Sequence, residues 1–201
     1  MDLTSLALFA ITFASVLILP GPNSAFVVGQ SLKYGVGGSL VAPLGFMSAT
    51  GLHAVLVFSG VGLIVQEYSL ILVILKWLGV FYLLYLAYKA FINRGSKIEV
   101  SCKVISKLKM YLSAMFVSLT NPKALLASLM LYPLFISSSQ AFLPQATALT
   151  LTAMAISFCI YASYGCAAVA LKDRLASSGL ANKLTGCMYL GAVSALAPKQ
   201  S

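Results

Sequence analysis

Leu19-Pro20-Gly21-Pro22-Asn23-Ser24 interrupts an uncharged run that extends from Leu3 to Leu32, and Thr120-Asn121-Pro122-Lys123-Ala124 interrupts a second apolar stretch, with Pro122 falling 100 residues after Pro22. A proline inside a helix removes one backbone hydrogen bond and clashes with the preceding turn. In lipid, the carbonyls it frees must be satisfied by protein, water or a ligand. Both motifs also read as fresh helix starts: Asn121 is a good N-cap with Pro122 at the first helical position, and Gly21 followed by Pro22 is a similar, weaker one. Ordinary proline kinks would explain either break alone. A binding cavity between two broken helices explains why both occur at matching places.

The surrounding composition is that of an integral membrane protein. Of 201 residues, 60% are hydrophobic and 8% charged, with a mean hydropathy of +0.97, whereas a soluble domain carries about 25% charged residues. The 13 basic and 4 acidic side chains leave a net charge of +9. They are thinly spread between apolar runs, which excludes nucleic acid as a partner. A helix needs about 20 residues to cross a bilayer core, so the chain holds about six or seven crossings and no soluble catalytic domain. Six spans are expected at roughly 3–31, 40–64, 69–91, 110–136, 144–171 and 182–197. The runs are too long for barrel strands of about 10 residues. The Met1-Asp2-Leu3-Thr4 start lacks the basic segment of a secretory signal, so the first apolar run is expected to be retained. Four scattered cysteines, Cys102, Cys159, Cys166 and Cys187, indicate neither a disulfide framework nor a thiol redox pair.

Orientation follows the basic residues. Arg94, Lys97, Lys103, Lys107 and Lys109 fill the third connection and Lys172, Arg174 and Lys183 the fifth, while the second carries only Glu67 and the fourth, a Ser137-Ser138-Ser139-Gln140 turn, carries none. Connections one, three and five are therefore cytoplasmic and both termini periplasmic. The matching breaks divide a single membrane domain into a three-helix repeat over 1–100 and another over 101–201. An odd number of spans per repeat inverts the second copy, an architecture used by many secondary transporters.

Several polar residues fall at membrane depth. Lys123 is about 13 residues, roughly 20 Å, from either end of its span, too deep to snorkel easily. A basic side chain at mid-span costs about 2.5–3.5 kcal/mol on insertion scales, so it faces a wet cavity or a partner. It either neutralises freed carbonyls or receives a substrate carboxylate, for which a helix N-terminus is also a natural seat. Pro22, Asn23, Ser24, Asn121, Pro122 and Lys123 are thus the candidate substrate-binding residues. His53, the only histidine, follows Gly45 and Ala49 at four-residue steps, on a small-residue stripe that packs against protein. It serves as an interhelical hydrogen bond or as the proton-coupling group. Ser24 and Thr120 would favour a hydroxylated substrate or bond their own helix backbones. Tyr82, Tyr85, Tyr88, Tyr161 and Tyr164 read as belt or packing residues. All four carboxylates, Asp2, Glu67, Glu99 and Asp173, belong to termini or connections, which argues against metal or cation transport. No cofactor loop, metal-ligand spacing or catalytic cluster is visible, so an enzyme is not expected.

Pro20-Gly21-Pro22-Asn23, Gly35 and Gly38, Gly51-Leu52-His53, Gly60-Val61-Gly62-Leu63, Gly79 with Tyr82-Leu83, Asn121-Pro122-Lys123-Ala124 and Pro133-Leu134-Phe135 together resemble the LysE/RhtB family of amino-acid exporters over nearly the whole chain. The Gly-Leu-His segment leans toward the RhtB, threonine/homoserine-type branch. The resemblance implies an all-α fold of six helices, a bacterial inner-membrane location and efflux of a small amino acid driven by the proton gradient. Two departures bear on substrate: many relatives carry an acidic residue where Asn23 stands, and a glutamine where Leu134 stands. The expectation is an exporter of a small neutral amino acid of the threonine, homoserine or leucine type, with small-residue faces that leave room for a homo-oligomer. Its rival is a non-transporting assembly or regulatory subunit using the same faces.

Overall fold

The computed structural model describes residues 1–60, 106–137, 139–171 and 180–196, with scattered positions between 74 and 88. All regular structure among them is helical: α1 Leu3–Ile18, α2 Pro22–Tyr34, α3 Val36–Phe58, α4 Lys107–Leu119, α5 Pro122–Leu134, α6 Phe142–Ala170 and α7 Leu180–Leu196. The expected third span and most of the basic third and fifth connections lie outside the described residues.

Each broken span is a helix pair. α1 and α2 bend by 65° across residues 19–21, and α4 and α5 bend by 63° across residues 120–121. Hydrogen bonds from Ser5 to the Asp2 carboxylate start α1 and hold that carboxyl below its ordinary pKa. α3 and α6, at 23 and 29 residues, are long and apolar enough to cross a bilayer alone, and each bent pair qualifies as one span. The second span begins at Val36 rather than near residue 40 because Gly35 turns the chain at once. Its φ of 62° is a conformation that glycine adopts without the steric cost of a Cβ.

α3 is the central element, packed against α2, α4, α5 and α6. Its small-residue stripe makes that possible: Gly45, Ala49 and His53 are all buried. A Cβ at Gly45 would lie 2.5 Å from the Tyr111 carbonyl oxygen of α4. Aromatic side chains fill the core. Tyr132 lies 5.6 Å from Phe9 and 5.1 Å from Phe58 between ring centroids, and Phe46 meets Tyr161 edge-on at 4.9 Å. The turn from α5 to α6 is clamped by buried Gln145, whose Oε1 accepts from the Ser137 N–H at 2.9 Å while Nε2 donates to the Ser137 carbonyl at 3.0 Å. The exterior is apolar, with Ile11, Val55, Met130 and Leu151 each more than half exposed, as a lipid-facing surface requires. This is an all-α integral membrane fold.

Candidate functional site

At the first break Gly21 is the N-cap of α2 and Pro22 its first residue. Ser24 Oγ accepts from the Gly21 N–H at 2.7 Å and donates to the Gly21 carbonyl at 2.8 Å, closing the turn. At the second, Asn121 caps α5 by accepting from the Lys123 N–H at 3.1 Å. The two breaks are tied together. Asn121 Nδ2 donates to Asn23 Oδ1 at 3.0 Å, and Asn23 Nδ2 donates to Ser118 Oγ at 3.1 Å.

Four carbonyls freed by the breaks find new donors, three of them side chains from elsewhere in the fold. Ile18 and Ser118 each stand four residues before a proline and so lose their helical donor. The Ile18 carbonyl accepts from the Tyr164 hydroxyl of α6, and the Ser118 carbonyl accepts from the Asn121 N–H. Lys123 Nζ donates to the Leu19 carbonyl at 2.7 Å. Leu119 would normally be paired by the Lys123 N–H, which has gone to Asn121, and the His53 imidazole of α3 hydrogen-bonds its backbone instead.

A narrow cavity opens beside this junction. Asn23, Thr50, His53, Ser118, Asn121, Lys123, Ser128, Ser157 and Tyr161 line it, with Phe13, Val16, Leu17 and Ala124 as the apolar part. Its volume is about 20 Å³, room for about one water. An amino acid fits only after the flanking helices part. Thr50 Oγ1 lies 2.9 Å from the Phe46 carbonyl and 3.1 Å from Ser157 Oγ, and the Tyr161 hydroxyl meets the Asn23 side chain. His53 is 3% exposed, yet among the described residues its Nε2 has no partner. Buried polar atoms are nearly always paired, and leaving one open costs about 1–3 kcal/mol.

Of the residues the sequence points to, Asn23, His53, Asn121 and Lys123 line this one cavity. Pro22, Ser24 and Pro122 shape the helix starts around it without lining it. Thr120, like Ser24, turns to its own backbone, donating to the Phe116 carbonyl at 2.8 Å. Lys123 here caps a freed carbonyl. Thr50, Ser118, Ser128 and Ser157 were not singled out by sequence, although Thr50 stands three residues before His53 and Ser157 four before Tyr161, spacings that put each pair on one helix face. Among the described residues no group of three His, Cys, Asp or Glu side chains could hold a metal ion.

The sequence pattern described as LysE type translocator matches residues 14–197. The chain belongs to the LysE-type translocator family. It is 29% identical over 195 residues to a leucine efflux protein of Salmonella choleraesuis, covering 92% of this chain and 91% of that one. It is 27% identical over 157 residues to a homoserine/homoserine lactone efflux protein of Salmonella typhimurium, covering 78% and 76% respectively. An uncharacterized membrane protein of Vibrio cholerae is 27% identical over 195 residues, 95% of each chain. No solved structure matches. As a LysE-type translocator, the chain is a helical membrane protein in which the two helix breaks meet beside the polar cavity.

Proposed function

We propose that this LysE-type translocator is a secondary exporter that moves a zwitterionic amino acid with a neutral side chain, of the leucine, homoserine or threonine type, out of a bacterial cell across the inner membrane, driven by the proton gradient. The observation that carries this reading is the cavity at the junction of the two breaks. It is polar and lies beside two helix starts, and among the described residues its lining carries one ammonium and no carboxylate. A substrate carboxylate takes Lys123 Nζ from the Leu19 carbonyl and sits against the start of α5. Losing that contact loosens α1 from α5, so binding and movement of the two halves are linked. The halves, 1–100 and 101–201, act as inverted repeats that rock about the junction.

The charge of the lining sets the substrate class. A second ammonium on a lysine or arginine substrate meets no acidic partner and is repelled by Lys123, and burying it unpaired costs several kcal/mol. The experiment is efflux from proteoliposomes loaded with labelled leucine, homoserine, threonine or lysine, with and without a pH gradient. Neutral amino acids should leave and should outcompete lysine. Lysine winning that competition overturns the substrate class, and absence of any flux overturns the exporter in favour of a non-transporting subunit.

A further inference from the structure

We propose that His53 Nε2 is the acceptor for the α-ammonium group of the transported amino acid, an inference that rests on the exporter reading and adds the second half of its substrate site. A zwitterion needs two complementary subsites. Lys123 and the start of α5 supply the one for the carboxylate. The ammonium requires lone pairs, and among the described residues the lining of the cavity offers no carboxylate to supply them.

Carbonyls freed by the helix breaks are the obvious alternative, and four of them are already taken: Ile18 by Tyr164, Leu19 by Lys123, Ser118 by the Asn121 N–H and Leu119 by His53 itself. The cavity amides and Thr50 are engaged with one another and with neighbouring helices. Among the described residues, Nε2 of His53 is the buried side-chain atom of the cavity lining without a partner. Its character is set from behind. The imidazole bonds the Leu119 backbone, and because Nε2 is open, Nδ1 makes that bond. Nδ1 donates to the carbonyl, so in the neutral ring Nε2 carries the lone pair. The helix break that exposes the Leu119 carbonyl therefore also orients a hydrogen-bond acceptor into the cavity. His53 belongs to α3 and Lys123 to α5, two helices that pack against each other across the junction, so the two ends of a zwitterion are read by different elements.

His53 is the only histidine of the chain, so the intact protein can report on it directly. Full-length protein carrying ¹⁵N-imidazole histidine and a histidine-free purification tag is examined by NMR in detergent or nanodiscs, alone, with leucine, and with 4-methylpentanoate, which is leucine without its amino group. The expected result is the Nδ1–H tautomer in the free protein, and an Nε2 resonance that moves with leucine and stays in place with 4-methylpentanoate. In leucine counterflow, His53→Leu should reduce the preference for leucine over 4-methylpentanoate about tenfold or more, the scale of one hydrogen bond to a charged group. His53→Gln, which keeps an acceptor, should recover part of it. An Nε2–H tautomer, an Nε2 resonance unmoved in leucine-bound protein, or undiminished preference in His53→Leu overturns the assignment while leaving export intact. Wild-type protein that neither binds nor moves leucine, homoserine or threonine overturns the exporter reading and this inference with it. The NMR arm needs no variant, so a misfolded His53→Leu leaves the test decisive.

Discussion

Lys123 and His53 do the same structural work at the two breaks, each covering a carbonyl that a helix can no longer pair, and each is proposed to meet the substrate once the cavity opens. Lys123→Met keeps the length and apolar stem of the side chain but removes the ammonium. Insertion and protein level should persist while flux falls about tenfold or more, as expected for loss of a charge-assisted hydrogen bond. Normal flux at normal protein level would make the lysine purely a carbonyl cap. His53→Gln separates binding from coupling. A proton on Nε2 uses the lone pair proposed to take the ammonium, so the two bind in turn, which is what exchange demands; among the described residues Lys123 and Tyr161 are the other titratable side chains lining the cavity. Glutamine keeps an acceptor but takes up no proton, so downhill efflux should continue while uphill export under an imposed pH gradient alone is lost. Uphill export by His53→Gln would route the proton elsewhere. Both side chains stand out in the sequence by their depth in apolar runs, but which carbonyls they cover is a property of the assembled helices.

At the scale of the helices, the packing of α3 against α4 depends on the missing side chain of Gly45. An added Cβ would lie 2.5 Å from the Tyr111 carbonyl oxygen and 2.8 Å from Ala114 Cβ, both on the neighbouring α4. Gly45→Val should therefore destabilise the protein by about 1–3 kcal/mol, seen as a lower melting temperature in detergent by size-exclusion fluorescence. Gly37→Ala, with open space around its Cβ, is the comparison. Equal melting of the two variants would show that the approach of α3 to α4 relaxes freely. The four-residue spacing of Gly45, Ala49 and His53 makes this face legible in sequence. The Gln145 clamp on the α5–α6 turn is not, because a lone glutamine in an apolar run carries no local sign of which backbone it will hold.

For the whole molecule, the distribution of basic connections predicts residue 97 in the cytoplasm and the 137–140 turn outside, with both termini periplasmic. Single cysteines introduced in a cysteine-free background should react with a membrane-impermeant maleimide in the turn and stay protected at 97 in intact cells. External labelling of position 97 would overturn the topology. Long apolar runs, the two proline breaks with their N-caps and the bias in lysine and arginine were all readable without coordinates, because length, hydropathy and capping act over a few residues of chain. They determined a helical membrane protein with two interrupted spans. Tertiary structure alone decided that Asn23 and Asn121 bond to each other, that Lys123 reaches Leu19 across 104 positions of sequence, and that Thr50, Ser157 and Tyr161 join His53 in one cavity. Those pairings depend on how separate helices cross, and a carbonyl freed by a break accepts whichever donor the packing brings within reach.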